Sequence, residues 1–186
     1  NIKARNLNSS YGAAYYPWVK VRDDQSGTIV TMPPSVVALG VLANTERAAD
    51  VWFAPAGFRR GGLSLGAAGL TVSGVETKLT SRNRDDLYEV NVNPIASFPA
   101  EGVVVFGQKT LQATPSALDR INVRRLLINL RRRVKSIANT LLFEPNRAST
   151  LARFSALVEP IMAEVQARQG VERYKVQIDT STTTQV

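Results

Sequence analysis

Seven basic residues, Arg120, Arg124, Arg125, Arg131, Arg132, Arg133 and Lys135, fall in one stretch that contains no acid. With about 100° per residue on a helix, Val123, Leu127, Leu130, Val134, Ile137 and Leu141 lie within about 40° of one line, an apolar stripe expected to face the core. Arg124, Arg131 and Lys135 project about a quarter turn away, and Arg125 and Arg132 lie opposite the stripe and are expected to point outward. An unbroken cationic face repels itself by about a few tenths of a kcal/mol per neighbouring pair. Such a face calls for an acidic counterpart, in this chain or on a partner, unless it is simply a solvated surface. Nucleic-acid recognition would add aromatic side chains among the cations or a groove-binding motif, and this stretch has neither, which leaves a basic nucleic-acid-binding domain as the lesser alternative.

Other chemistry is scarce. The chain has no Cys and no His, which removes the usual zinc sites, thiol nucleophiles, Ser-His-Asp triads and imidazole proton shuttles. The glycine-rich run Gly61 to Gly69 lacks the Gly-Lys-Ser or Gly-Lys-Thr end of a phosphate-binding loop and the spacing of a dinucleotide fingerprint. Asp23-Asp24 and Asp85-Asp86 are adjacent pairs whose carboxylates diverge, better suited to turn and helix-start chemistry than to acid–base catalysis. No catalytic residue, metal or cofactor is expected. The absence of Cys also means no disulfide framework, in keeping with a reducing cytoplasm. The net charge of +8 favours acidic partners.

The elements that would position these residues read as an α+β (α/β) fold, a mixed β-sheet packed by several helices. Its 186 residues can bury roughly two thirds of the unfolded surface, and no apolar run approaches the ~18 residues of a membrane span. Trp18 to Arg22 alternates as a strand, an edge by its preceding Pro17, and pairs in a hairpin with Thr28 to Met32 across the polar turn Asp23 to Gly27. Pro34 opens a helix to Ala48. Val51 to Pro55 reads as a short strand, and Gly57 to Gly74, with six of the twelve glycines, as a long loop with an extended piece at Leu70 to Val72. A helix starts at Ser81, and Ile95 to Phe98 and Val103 to Phe106 form a core hairpin. Trp18 and Trp52 are expected in the core. Two long helices follow, Asp119 to Phe143 and Ala148 to Gln169, the second closed by Gly170 at its C-cap. Last comes a terminal strand, Val171 to Ile178. The organisation expected is one compact domain, with a first part at 1–92, a second at 93–178 and a flexible tail at 179–186. The start at Asn1-Ile2-Lys3 and the polar tail point to a trimmed piece of a longer chain.

Several separated motifs occur together in order. They are Asn93-Pro94-Ile95 with Ser97-Phe98-Pro99, Phe106-Gly107 with Lys109-Thr110, Pro115 to Leu126, Leu142-Phe143-Glu144-Pro145-Asn146, and Val158-Glu159-Pro160. With LNSSYGAAYYPW near the start, this pattern resembles the tail sheath proteins of contractile-tailed bacteriophages, in their C-terminal core region. The resemblance implies a structural virion subunit and no enzyme. It further implies hexameric rings stacked around an inner tail tube, contact with a baseplate, contraction for genome delivery, and no nucleic-acid partner or membrane insertion. Assembly would occur in the host bacterial cytoplasm, and a phage-derived injection machine such as a bacteriocin or secretion apparatus would share the pattern. Arg124, Arg125, Arg131, Arg132 and Lys135 become candidate contacts to the tube or to another subunit. Val171, Arg173, Lys175, Val176 and Ile178 become a candidate strand-exchange edge, since terminal arms in that family add strands to a neighbour's sheet.

Overall fold

The computed structural model describes residues 7–64, 66 and 69–178. The chain start, 1–6, and the expected tail, 179–186, lie outside the described residues. Contacts group into two units, Asn1–Arg125 and Leu126–Val186.

Two three-stranded sheets make up the first unit. In one, β1 (Ala14–Tyr16) runs parallel to β5 (Val92–Phe98), which pairs antiparallel with β6 (Gly102–Val105), so the sheet is mixed. In the other, β2 (Val19–Arg22) lies between β3 (Ile29–Met32) and β4 (Val72–Val75), antiparallel to both. The expected β2–β3 hairpin is present, but β2 is central rather than an edge. Pro17 precedes the strand and removes no ladder donor from it, while β4, supplied by the glycine-rich region, takes the second edge of β2.

Helix α1 (Pro34–Ala48) lies against β1. Its Val37 and Val41 join Val19, Val21, Leu63, Val72, Val75, Ile95, Val103 and Val105 in one buried cluster. Three of the four β6 residues and five of the seven β5 residues are buried, as an apolar hairpin covered on both faces requires. The turn into β6 needs Gly102 at φ +72°, where an added Cβ would also collide with Ser64. Ser64 Oγ sits there because it accepts from the Val103 amide at 2.8 Å.

Further expectations about this unit fail in whole or in part. Val51 to Pro55 forms turns rather than a strand, the long loop is interrupted by the short helix α2 (Gly57–Arg60), and the extended piece expected at Leu70 to Val72 is present but shifted, as β4. Trp52 is buried at 8% exposure, but Trp18 is 46% exposed, since Val19 and Val21 take the inward positions of β2. Helix α3 (Ser81–Glu89) starts where the polar caps place it, with a reciprocal Thr80–Asn83 capping box.

Helix α4 (Ile121–Thr140) begins in the first unit, and most of it, with α5 (Ala148–Ala167), belongs to the second. Their lengths follow the sequence expectation to within a few residues. The close of α5 differs in detail. The Gly170 amide bonds Val165 O at 2.7 Å and the Gln169 amide bonds Gln166 O at 2.9 Å, so Gln169, at φ 63°, takes the left-handed position and Gly170 follows it. No helix among the described residues is long and apolar enough to cross a membrane.

The expected terminal strand is absent. Val171 to Ile178 forms no ladder among the described residues, because alternation supplies a face but strand structure also requires a neighbour's backbone donors and acceptors.

Candidate functional site

The start of α4 is set by backbone and polar contacts rather than by its cations. A 3-10 turn, Ala117–Asp119, is capped by Ser116, whose hydroxyl accepts from the Leu118 amide at 3.1 Å. The Thr110 amide donates to Asp119 O at 2.8 Å and the Ile121 amide to Gln108 O at 2.9 Å, which aims the helix. Asn122 Nδ2 then donates to Trp52 O at 3.0 Å.

The seven cations divide into two groups. Arg120 pairs with Asp119 at 3.2 Å and donates to the Tyr88 hydroxyl at 2.6 Å. Arg124 donates to the Ser10 hydroxyl and stacks 4.2 Å from the Tyr11 ring centroid. Arg125 pairs with Glu46 at 2.9 Å with its side chain only 18% exposed, and Arg133 pairs with Glu164. Arg131, Arg132 and Lys135 are exposed, and none makes an ion pair or hydrogen bond among the described residues. The acidic counterpart expected from the sequence is therefore partly internal, from Asp119, Glu46 and Glu164.

Two sequence expectations for this helix are corrected. Arg125 does not point outward, because its first turn is packed on the first unit, where Glu46 of α1 meets it. Burial pulls the Arg125 pKa down while Glu46 holds it up. Nor is the stripe Val123, Leu127, Leu130, Val134, Ile137 and Leu141 a buried core. None of the six is fully buried and Leu127 is 42% exposed, whereas Ile121 and Leu126 are buried at 7% each.

The candidate edge Val171 to Ile178 is one-sided. Tyr174, Val176 and Ile178 are half-buried while Arg173, Lys175 and Gln177 are exposed. Ile178 helps line a groove of about 360 Å³ with Ala138, Leu141, Thr150, Leu151 and Phe154. Glu172 O accepts from Gln166 Nε2 at 2.9 Å.

Sequence reasoning missed two aromatic assemblies in the first unit. Phe58, Phe98 and Phe106 form a three-ring cluster with centroids 4.9, 5.4 and 5.1 Å apart, and the Arg84 guanidinium lies 5.2 Å from the Phe98 ring. Lys109 Nζ sits 3.7 Å from the Tyr88 ring centroid. The only usable signal was the register of the hairpin, which puts Phe98 and Phe106 on one face. Nothing in the sequence places Phe58 beside them.

The chain is 34% identical to the tail sheath protein of Vibrio phage KVP40 over 140 residues, 75% of this chain and 20% of that protein. It is 30% identical to the tail sheath protein of Enterobacteria phage T4 over 179 residues, 96% of this chain and 26% of that protein. Among solved structures, the sheath complex of an extracellular contractile injection system, PVC, in its contracted state superposes with a TM-score of 0.78 at 26% identity, covering 94% of this chain and 46% of that one. No protein-family profile matches the chain. Fold and sequence together define the class, a contractile sheath protein. The chain belongs to the tail sheath protein family of contractile-tailed bacteriophages, and it spans between a fifth and about a quarter of the length of these two relatives.

Proposed function

We propose that this chain is the part of a contractile tail sheath subunit that packs against neighbouring copies around an inner tail tube in the virion. Contraction of the assembled sheath drives the tube through the host envelope. The observation that carries this reading is the 30% identity to a tail sheath protein across 96% of the chain. In this reading copies stack as hexameric rings ending at a baseplate, and Arg131, Arg132 and Lys135 are the charges that meet an acidic surface of the tube or of a neighbouring copy. Arg124 and Arg125 serve the same surface from beneath, by holding the first turn of the helix in place. The segment Val171 to Ile178 serves as the strand-exchange edge, supported by its alternating pattern and its lack of a ladder among the described residues.

A second reading, the sheath of a phage-derived injection machine, is favoured by the likeness to the PVC sheath complex. Both readings make the same mechanical subunit, and they differ only in the cargo behind the tube.

Electron microscopy of the chain in its full-length context, alone and with its tube protein, tests the proposal. Tubular polymers or six-fold rings are expected, and the triple reversal Arg131→Glu, Arg132→Glu, Lys135→Glu is expected to reduce assembly sharply while leaving the fold intact. A monomer under all conditions that retards DNA at low salt would overturn the reading.

A further inference from the structure

The tip of the α4–α5 hairpin carries an unusual side chain. Phe143 is wholly exposed, at 104% of its reference area, and its neighbour Leu142 is 62% exposed. Phe143 also adopts φ +68°, a left-handed conformation that costs a bulky L-residue energy. A solvent-facing ring held in a strained backbone at a loop tip has the properties of an anchor that gains its energy only in contact.

The same chain carries a fitting receptor. Phe58 and Phe106 of the three-ring cluster are 53% and 39% exposed. Beside them lies a cleft of about 560 Å³ whose walls include Phe58, Arg59, Pro99, Ala100 and Glu101. Aromatic rings prefer edge-to-face or offset neighbours at centroid separations of about 4.5–7 Å. Arg84 lies against the Phe98 and Phe106 rings, and Phe58, the most exposed of the three, lines the cleft and is placed to meet a fourth ring. The flanking charges match as well. Glu144 and Arg147 border Phe143, Arg59 and Glu101 border the cleft, and all four are exposed.

We propose that Phe143 of one copy inserts into the cleft beside Phe58 of a second copy, with Glu144 facing Arg59 and Arg147 facing Glu101. Knob and receptor are different patches of one chain, so the contact is heterologous. Contacts of that kind repeat from copy to copy and build rings or helical arrays rather than closed pairs. The inference rests on the sheath reading, because it needs copies of this chain to assemble, and it adds the residues that join them.

These 186 residues contain no cysteine, so with any cysteine elsewhere in the full-length chain replaced by serine, introduced thiols report one contact without background. Phe143→Cys and Ala100→Cys are placed together in the full-length chain, assembled, and treated with a short bis-maleimide. A ladder of covalent oligomers is expected from the double variant and from neither single one. Phe143→Ala is expected to raise the concentration needed for assembly by about tenfold or more. Its monomer should melt like the parent, since the ring is wholly exposed among the described residues. Arg59→Glu should weaken assembly and Glu144→Arg should restore it. Polymers that form without a ladder, or a ladder from Phe143→Cys alone, would overturn the knob-and-cleft contact and leave the sheath reading standing. A parent chain that forms no polymer would sink both.

Discussion

Asn93 is 1% exposed and uses its whole amide. Its Nδ2 donates to Ala14 O at 3.0 Å and to Lys109 O at 2.8 Å, and its Oδ1 accepts from the Lys109 amide at 2.6 Å. One side chain thus joins β1 to the segment leading into the basic helix. Gly107 stands where a Cβ would fall 2.9 Å from Asn93 Oδ1, so the two positions are coupled sterically. Asn93→Leu keeps the branching of the side chain and leaves three half-buried backbone groups without this partner, each costing up to about 1–3 kcal/mol. We expect the urea midpoint to fall by an amount equivalent to at least about 2 kcal/mol, which a denaturation curve reads directly. Tyr15 makes a second test at this scale. Burial pushes its phenol up from 10.0 to about 12, against the opposing pull of the Arg125 charge. Between those pH values the folded state keeps a proton that the unfolded state has lost. Stability is therefore undiminished below the unfolded pKa and falls as pH rises toward the folded one, by about 2–3 kcal/mol in all. Tyr15→Phe should flatten that part of the stability–pH curve, and an unchanged slope would remove Tyr15 as its source.

At the scale of elements, local chemistry decides boundaries and neighbours decide roles. The Thr80–Asn83 capping box starts α3, so Thr80→Ala should lower stability by about 0.5–2 kcal/mol, visible as a drop in Tm. Asp23 shows the same locality, since its carboxylate accepts from the Gln25 and Ser26 amides at 3.3 and 3.2 Å and shapes the β2–β3 turn as expected. These hydrogen bonds, with the one from the Ser26 hydroxyl first among them, hold the Asp23 pKa below its usual range. Helix and hairpin limits were legible because caps, prolines and apolar periodicity act within a few residues. Two things were not legible. The centrality of β2 depends on β4, more than fifty residues away in sequence. The failure of Val171 to Ile178 to form a strand depends on the lack of a ladder partner.

At the scale of the whole molecule, the positive charge is sorted rather than spread. Pairing with Asp119, Glu46 and Glu164 takes Arg120, Arg125 and Arg133 out of the surface field. Arg131, Arg132 and Lys135 are left to act outward. Exposed charges interact weakly and are screened beyond ~8 Å at physiological ionic strength. The assembly expected of this chain should therefore weaken with salt, and the triple reversal should imitate high salt. The apolar part of the knob-and-cleft contact should respond little to salt while its flanking Glu144–Arg59 and Arg147–Glu101 pairs weaken with it, so the loss caused by Phe143→Ala should persist at high salt where that of the triple reversal fades.

The sequence by itself determined the α+β class, the order and approximate limits of the helices, the β2–β3 and β5–β6 hairpins, the basic character of α4 and the sheath family. Each depends on short-range patterns or on motif order, both of which are written along the chain. Only the tertiary structure decided which cations are spent internally, that the apolar stripe of α4 stays half-covered, and that Phe58 meets Phe98 and Phe106. Those outcomes require side chains distant in sequence to be brought within a few ångströms, and periodicity within one element carries no information about what will face it.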